Sequence, residues 1–394
     1  MSEVLSNIRP ADRVVLRESS LRNSMNAVAA GLSGVISLSR GDPDLPTPPH
    51  IVEAARNALL EGATHYTNSA GMPALREAIA QTMARDNGTA YDADEIVVTA
   101  GAQEAMSCVM LALINPGDEV VVPIPGYNTY HSAIDLAGGI PVFAVTTFDE
   151  DFSLKAAHIE KVLTPKTRMV CLISPNNPTA TVVPPEEVIK IAKLCVDHDL
   201  ILVSDEIYAK LVFDNHRVIS PAALPGMHER TITINGFSKA YAMTGWRVGW
   251  LAAPASLIPA LADIHHTVAI CATAASQHAA LAAITGPQEC FVEMLGIYAE
   301  RRRVMMRGLD RIGLPYATPG GGMYIYARVT DTGLSLDEFC LKALREARVQ
   351  VSPSTFFGPG GDGFVRIALL RPVEEIAEAM DRLYKVFGRV TTSA

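Results

Sequence analysis

Residues 168–208 read RMVCLISPNNPTATVVPPEEVIKIAKLCVDHDLILVSDEIY. Two short runs in this stretch, 168–173 and 200–204, consist mostly of apolar residues, and residues 184–198 between them have the spacing of an amphipathic helix. A strand, a helix and a strand in this order form a crossover that places both strands parallel in one sheet. Neither run alternates polar with apolar residues, so we expect helices to cover both faces of the sheet.

Similar runs extend outward in both directions and indicate the fold class. We predict further strands at residues 95–99, 119–122, 140–144, 231–235 and 247–252. Most gaps can hold a crossover helix, but residues 236–246 are about as few as a parallel connection can use. We therefore expect the strand at 247–252 to run antiparallel or to follow a short turn. The sequence predicts an α/β fold with a mainly parallel seven-stranded sheet flanked by helices.

A smaller module follows the predicted sheet along the chain. Its pattern comprises a long helix at 286–313, a strand at 322–328, a helix at 335–347, a strand at 363–369 and a closing helix at 373–388. A chain of 394 residues is long enough for two or more domains. We predict a large domain of residues 47–285 and a smaller α+β domain formed by residues 1–46 and 286–394.

The composition argues against several classes of partner. The formal net charge of −9 argues against nucleic acid, because proteins that bind it usually present a basic face. The dense basic run at 301–303 has helical spacing with Arg307 and Arg311, typical of a solvated or interdomain helix face. The six cysteines are scattered without a C-x-x-C or Cys/His cluster, so we expect no disulfide framework and no metal site.

The N-terminal residues and the most apolar stretch predict where the protein resides. Residues 1–15 are charged and lack the apolar core of a secretory signal. The alanine-rich stretch 268–285 is interrupted by Ser276, Gln277 and His278, so we expect a buried helix rather than a membrane span. The expectation is a cytoplasmic protein without a membrane partner.

Polar residues stand where the predicted strands end, which is the edge where open α/β sheets bind their ligands. Gly101 and Ala102 open a helix after the strand at 95–99, and free N–H groups there suit a phosphate. Tyr127 follows the strand at 119–122 and offers a ring for stacking. Each feature alone has an ordinary explanation, namely a plain helix start and an aromatic residue of the core or rim.

The next strand ends add an amide, a carboxylate and an amine. Asn177 lies in the turn after 168–173, Asp205 directly follows the run at 200–204, and Lys239 follows the strand at 231–235. Asn-Pro is also a plain turn signal, and an aspartate here could be a helix N-cap. An aspartate at the end of an apolar strand is nevertheless costly without a partner.

A single ligand, pyridoxal phosphate, would use all of these groups. A lysine amine forms a Schiff base with its aldehyde. A carboxylate pairs with the ring nitrogen and keeps it protonated, so that the ring can act as an electron sink. The sequence therefore predicts a pyridoxal-phosphate site that contains Lys239 and Asp205.

With these pieces in place, the chain resembles the class I/II aminotransferases of pyridoxal-phosphate fold type I. The resemblance covers about residues 38–371 and rests on the order and spacing of NNPTA (176–180), DEIY (205–208), SK (238–239) and RVG (247–249). It implies transfer of the amino group of an L-α-amino acid to a 2-oxo acid in ping-pong half-reactions. The same fold also supports C–S β-lyases and decarboxylases, and a protein that binds the cofactor without catalysis is a further alternative.

The resemblance also implies roles for individual residues at the cofactor. Lys239, Asp205 and Tyr208 would be the catalytic residues, with Lys239 as the Schiff-base lysine and proton shuttle and Asp205 paired with the ring nitrogen. The implied cofactor contacts are Tyr127 on the ring face, Asn177 and Tyr208 at the ring hydroxyl oxygen, and Gly101, Ala102, Gln103, Ser238 and Arg247 at the phosphate. Tyr66 would reach the phosphate of a neighbouring subunit, which implies a homodimer with shared sites.

For the substrate, the resemblance implies contacts from Gly41, Tyr130, Asn177 and Arg366. Arg366 would hold the α-carboxylate as a bidentate pair, a geometry that lysine cannot reproduce, and Gly41 would contact the same group through its backbone. Two residues depart from the family pattern. Gly236 stands where many members have serine, and Gln103 where some acid-specific members have lysine, which weakens the case for a purely acidic substrate.

Overall fold

The computed structural model describes residues 11, 13, 14, 20–359 and 361–388, so the parts of the predictions that fall on the remaining positions lie outside the described residues. The strands are β1 (Ile36–Ser37), β2 (Ile96–Thr99), β3 (Glu119–Ile124), β4 (Ile140–Val145), β5 (Thr167–Ile173), β6 (Ile201–Asp205), β7 (Thr231–Gly236), β8 (Gly249–Ala252), β9 (Tyr324–Arg328), β10 (Val349–Gln350), β11 (Ser352–Pro353) and β12 (Phe364–Ala368). The helices are α1 (Ser20–Ala30), α2 (Pro49–Leu60), α3 (Pro73–Asn87), α4 (Ala102–Leu113), α5 (Thr129–Ala137), α6 (Ala156–Glu160), α7 (Pro185–Asp197), α8 (Ile258–Ala269), α9 (Ala274–Thr285), α10 (Glu289–Ile312), α11 (Leu336–Arg345) and α12 (Val373–Phe387).

The large sheet contains seven strands in the order β2-β8-β7-β6-β5-β3-β4. Neighbouring strands are parallel, except that β8 runs antiparallel to both β2 and β7. This confirms the predicted mainly parallel sheet. Residues 237–248 alone separate β7 from β8, and so short a connection favours the antiparallel pairing.

Helices cover both faces of this sheet, as its apolar strands require. Val97 of β2 lies in one core with Val109 of α4. The next residue, Val98, lies in another core with Ile79 of α3. Because successive residues of a strand point to opposite faces, both must be apolar when both faces are covered.

The smaller module combines the N-terminal segment with the C-terminal part of the chain. It contains an antiparallel sheet in the order β11-β12-β9 and a parallel pair, β1 and β10. Ile36 and Leu38 donate backbone hydrogen bonds of 2.8 Å to the carbonyl groups of Arg348 and Gln350. Leu38 also shares one hydrophobic core with residues of α10, α11 and α12, so the N-terminal segment closes the core of the module.

The alanine-rich stretch differs from the predicted single helix over 268–285. Helix α8 ends at Ala269, Ile270 has a φ of 64°, and α9 begins at Ala274. Within α9, Gln277 is buried and accepts a hydrogen bond from the backbone N–H of Met72 at 2.7 Å. Among the described residues, no helix combines the length and apolar character needed to cross a membrane.

The basic run on α10 is divided between the protein interior and the solvent, because Arg301 and Arg302 are buried whereas Arg303, Arg307 and Arg311 are exposed. Arg301 is buried and binds both carboxylate oxygens of Asp44, at 2.7 and 2.8 Å. Arg302 is also buried and binds Asp214 at 2.6 Å. These pairs connect α10 with the N-terminal segment and with the loop after β6. The two buried arginines therefore fit the interdomain interpretation, and the three exposed ones fit the solvated interpretation.

Candidate active site

A cavity of about 880 Å³ opens at the carboxyl ends of β5 and β6 and extends beneath the smaller module. All predicted site residues line it except Gly101 and Tyr66; the lining set is Gly41, Ala102, Gln103, Tyr127, Tyr130, Asn177, Asp205, Tyr208, Ser238, Lys239, Arg247 and Arg366. The position agrees with the rule that open α/β sheets bind ligands beyond the carboxyl ends of their strands.

One end of the cavity has the features of a phosphate site. The first hydrogen bonds of α4 run from the N–H groups of Glu104 and Ala105 to the carbonyl of Gly101, so the preceding N–H groups lack partners within the helix. Gly101 has a φ of 95°, and a Cβ there would lie 2.7 Å from Nη2 of Arg247. This close approach of a cation to a helix N-terminus fits a phosphate group.

Two further glycines shape the same end of the cavity. A Cβ at Gly249 would lie 2.5 Å from the backbone nitrogen of Ala102, so only glycine lets β8 pass this close to the start of α4. Gly236 pairs with Gly249 across β7 and β8, and a Cβ at position 236 would lie 3.0 Å from the Cα of Gly249. Gly236, which stands where the resemblance would place serine, therefore lies at a point of tight backbone packing.

Asp205, at the end of β6, supplies a carboxylate inside the cavity. It accepts hydrogen bonds from the hydroxyl of Tyr130 at 2.8 Å and from the backbone N–H of Ile207 at 3.1 Å. Its burial raises the pKa of the carboxyl group, although both hydrogen bonds oppose that rise. A cationic partner such as a protonated ring nitrogen would stabilise the ionised form. Tyr130 is almost fully buried, and its hydroxyl contact in the structure is with Asp205.

Lys239 lies just after β7 and points across the cavity to the N-terminal segment. Its Nζ donates a hydrogen bond to the carbonyl oxygen of Gly41 at 2.6 Å. The same Nζ is 6.0 Å from the ring centroid of Tyr208. Ser238, beside it, is buried. The amine of Lys239 is therefore held between the residues predicted to contact the cofactor and those predicted to contact the substrate.

Arg366, on β12, is a buried cation with incomplete hydrogen bonding. It donates to Oδ1 of Asn177 at 3.0 Å and to the carbonyl oxygen of Ser39 at 2.8 Å. Its guanidinium carbon lies 4.1 Å from the ring centroid of Tyr324. Its Nε is buried without a hydrogen-bond partner among the described residues. A carboxylate from a bound ligand would satisfy such a cation.

The aromatic residues and Tyr66 occupy different positions relative to the cavity. Tyr127 donates a hydrogen bond from its hydroxyl to Oε1 of Gln103 at 3.1 Å, which connects the predicted stacking ring with the start of α4. Tyr66, in contrast, is 79% exposed and does not line the cavity of its own chain. The side chain is thus accessible to another molecule.

Tyr324 is a site residue that sequence reasoning missed. Its hydroxyl lies 3.3 Å from that of Tyr208, and a Cβ on Gly41 would lie 2.7 Å from it. Burial by itself would raise the pKa of Tyr324, but the charges of Arg366 and Lys239 together with the hydrogen bond to Tyr208 lower the pKa below its usual value. In the sequence, Tyr324 looks like its buried neighbour Tyr326, so only the folded position identifies it.

One group of potential metal ligands lies near α4, formed by Glu104, Cys108 and His265. Nδ1 of His265 and Oε1 of Glu104 are 2.7 Å apart, a hydrogen-bond distance. Two ligands of one zinc ion would stand about 3.3 Å apart, given bond lengths of about 2.0 Å in a tetrahedron. The geometry is that of a hydrogen-bonded pair, and it assigns no metal to this group.

The chain is similar in sequence and in structure to known aminotransferases. Residues 33–383 match the family model described as aminotransferase class I and II. The chain is 41% identical to an aspartate aminotransferase of Pyrococcus abyssi, over 95% of this chain and 97% of the relative. It is 40% identical to an arginine–pyruvate transaminase of Pseudomonas aeruginosa, over 89% of each chain. The solved structure of an aromatic aminotransferase from Pyrococcus horikoshii OT3 superposes with a TM-score of 0.88 at 40% identity, covering 92% of this chain and 98% of that one.

Proposed function

Because the chain belongs to the class I and II aminotransferases, which transfer amino groups with pyridoxal phosphate, we propose that the cavity is its active site and that Lys239 carries the cofactor. The observation that carries this assignment is the convergence of Lys239, Asp205 and Arg366 on one cavity. These residues come from the end of the sheet and from β12, and the fold brings them together around a space large enough for a cofactor and a substrate.

When bound, pyridoxal phosphate supplies an aldehyde for the incoming amino group and a ring that takes up negative charge as the Cα proton leaves. Asp205 would hold a proton on the ring nitrogen. Its hydrogen bonds from Tyr130 and Ile207 orient the carboxylate for this task. Arg247 and the N–H groups at the start of α4 would hold the phosphate, while Tyr208 and Asn177 would contact the ring hydroxyl oxygen.

The substrate would bind through its α-carboxylate at Arg366. The contacts of Arg366 with Asn177 and Ser39 orient the guanidinium, and Gly41 lies between this group and Lys239. An amino acid held there presents its Cα to Nζ of Lys239. Once free, that amine would move the Cα proton, because no other described amine lines the cavity. Gly41 and Tyr130 remain predicted substrate contacts.

A 2-oxo acid would accept the amino group at the same place in a second half-reaction. Both substrates carry an α-carboxylate, so one arginine can bind each in turn. Membership in the family supports transamination over the lyase, decarboxylase and non-catalytic alternatives. The similar proteins named for aspartate, arginine and aromatic amino acids differ in substrate, so family membership leaves the donor open.

We further propose a cytoplasmic homodimer in which Tyr66 reaches the cofactor phosphate of the neighbouring subunit. Its exposure outside the cavity of its own chain supports this role. A complementation test is available, since Lys239→Ala and Tyr66→Phe chains would combine into a heterodimer with one intact site. Activity that appears only on mixing the two variants under subunit exchange would support shared sites, and its absence in a proven heterodimer would refute them.

The two-domain division at residues 47–285 against 1–46 and 286–394 stays part of this proposal. Its support is that Leu38 and residues of α10 to α12 share one core, whereas the strands of the large sheet belong to others. Limited proteolysis of the protein tests it, because a domain boundary should be cleaved before either core.

The experiment that tests the function as a whole is a half-reaction screen. Single L-amino acids are added to the purified protein with bound cofactor but without an acceptor. We expect at least one of them to convert the cofactor to its amino form, with release of the matching 2-oxo acid. Conversion without release of a 2-oxo acid, or no conversion by any donor, would refute the proposal.

A further inference from the structure

The charges that line the cavity exceed those that the proposed reaction uses. Five basic and two acidic side chains line it: Arg40, Lys239, Arg247, Arg366, Arg371, Asp42 and Asp205. In the proposed function Lys239 joins the cofactor, Arg247 binds its phosphate, Arg366 binds the α-carboxylate and Asp205 pairs with the ring nitrogen. These four groups therefore have partners once cofactor and substrate are bound.

Two of the three remaining charges have partners within the chain. Asp42 accepts a hydrogen bond from the hydroxyl of Thr244. Arg371 donates from its Nε to the carbonyl oxygen of Ser37 at 3.2 Å, and it lies 3.7 Å from a carboxylate oxygen of Glu375. Arg40 has no such partner among the residues that the structure describes. It is the cation that the cofactor and an α-carboxylate would leave unmatched.

The backbone around Arg40 is held on both sides by residues of the same site. The carbonyl oxygen of Ser39 accepts from Arg366 at 2.8 Å, and that of Gly41 accepts from Lys239 at 2.6 Å. The Arg40 side chain therefore starts from a fixed point between the α-carboxylate group and the reactive amine. From there it lines the cavity and is exposed to solvent, so it is accessible to a ligand in the cavity.

Gln103 is the alternative receptor for the far end of a substrate, and it carries no charge. Its Oε1 already accepts the hydroxyl of Tyr127 at 3.1 Å. An anion would therefore gain more from Arg40, whose guanidinium can bind a carboxylate with two hydrogen bonds.

We propose that Arg40 forms a subsite for an anionic group at the far end of the substrate side chain, so that the preferred substrates are dicarboxylic amino acids and their 2-oxo acids. This inference rests on the proposed function. Gln103 alone weakens the case for an acidic substrate, but Arg40 lines the same cavity and supplies the positive charge that Gln103 lacks. A cationic donor such as arginine is disfavoured by the same residue.

The test begins with equilibrium binding of unreactive acids to the protein with bound cofactor. Glutarate and valerate have the same carbon chain, but only glutarate has a second carboxylate. We expect glutarate to bind about 10-fold tighter, a modest ratio because Arg40 is exposed. In Arg40→Gln the two acids should bind about equally, whereas Arg40→Lys should keep part of the preference. Equal binding of both acids by the unmodified protein would overturn the proposal.

A second arm compares donors in the half-reaction. In Arg40→Gln, the ratio of kcat/KM for glutamate to kcat/KM for norvaline should fall about 10-fold. The ratio of kcat/KM for arginine to kcat/KM for norvaline should rise. Arg168→Gln is the matched control, because Arg168 is exposed at the start of β5, at the opposite edge of the sheet. It should keep both ratios.

The outcomes separate the inference from the proposed function. Arg40→Gln could turn over norvaline efficiently and keep the ratio of kcat/KM for glutamate to that for norvaline unchanged. This result would overturn the subsite and leave the aminotransferase assignment standing. Absence of turnover with every donor would overturn both. Replacing glutarate by 4-phosphonobutyrate distinguishes a carboxylate subsite from a phosphate subsite, and a clear preference for the phosphonate would overturn the dicarboxylic assignment.

Discussion

Arg366 donates a hydrogen bond to Oδ1 of Asn177 at 3.0 Å, although the two residues are 189 positions apart in the chain. The contact joins β12 of the smaller module to the turn after β5 of the large sheet. It shows that the predicted carboxylate-binding residue and a predicted cofactor-binding residue share one hydrogen-bond network. Substrate and cofactor are thus expected to influence each other's binding.

Replacing Arg366 by lysine should weaken substrate binding selectively. Lysine keeps the charge but loses the planar fork, so we expect KM for amino acids to rise about 10- to 100-fold. Steady-state kinetics with an amino acid and with the amine that lacks its carboxylate measure the effect. The amine should be affected far less, and an equal rise for both would remove Arg366 from the carboxylate site.

Replacing Lys239 by alanine should abolish both turnover and covalent attachment of the cofactor. We expect a loss of at least about 1,000-fold in kcat, because the variant lacks both nucleophile and base. Borohydride reduction followed by peptide mass analysis should find the cofactor on residue 239 of the unmodified protein only. Lys210→Ala is the control, since Lys210 is a partly buried lysine that pairs with Asp86. Cofactor attached to another residue would contradict the assignment.

Replacing Gly41 by alanine should disturb the site through Tyr324. The added Cβ would lie 2.7 Å from the Tyr324 hydroxyl but 3.8 Å from the ring carbon that carries it. We expect Gly41→Ala to raise KM about 10-fold, and the double variant with Tyr324→Phe to recover most of that loss, as contacting residues are coupled. A double variant no better than Gly41→Ala would show that the glycine is needed for another reason.

Replacing Asp205 by asparagine should leave a folded protein that reacts slowly. Asparagine can still accept from the N–H of Ile207 through its one amide oxygen, and its NH2 group can donate to the Tyr130 hydroxyl, but it carries no charge to hold a proton on the ring nitrogen. We expect kcat to fall at least about 100-fold, the size of losses seen when one electrostatic contact is removed. Tyr130→Phe removes only a hydrogen bond to Asp205 and should cost less. A near-normal kcat in Asp205→Asn would exclude the proposed role.

Glu206, beside Asp205, should make stability depend on pH. Its burial raises the pKa of the carboxyl group from 4.5 to about 7, although Ser204, Ser220 and Asn87 stabilise the ionised form. Between these values the folded state binds a proton that the unfolded state has released, so stability decreases as pH rises through the window. The loss amounts to a few kcal/mol, at about 1.4 kcal/mol for each pKa unit.

Thermal unfolding at pH 5 and pH 8 measures this effect against Glu206→Gln. The Tm of the unmodified protein minus that of Glu206→Gln should decrease as the pH is raised from 5 to 8. Glu61→Gln, at an exposed position, serves as the control and should show no such trend. A constant difference between the unmodified protein and Glu206→Gln would mean that Glu206 does not titrate in this range.

Local patterns predicted most of the elements that the structure contains. Strands β2 to β8 lie at the predicted positions because buried strands need apolar residues on both faces. The strand order did not follow from the pattern. β8 inserts between β2 and β7, and β3 lies between β5 and β4, arrangements that depend on contacts between distant segments. The break between α8 and α9 at Ile270 was likewise missed, since composition alone does not mark it.

The site divides in the same way between sequence and tertiary structure. Motif residues such as Lys239 and Asp205 stand out in the sequence because each directly follows or closely follows an apolar run that predicts a strand. Their order along the chain already indicates pyridoxal phosphate. Tyr324 and Arg40 carry no local signal, because a tyrosine on a strand or an arginine before a glycine is ordinary. Their proximity to Lys239 and Arg366 arises only when the N-terminal segment and β9 pack over the carboxyl edge of the sheet. The sequence by itself determined the family chemistry, and the tertiary structure decided which charges line the cavity, because that depends on distances between segments far apart in the chain.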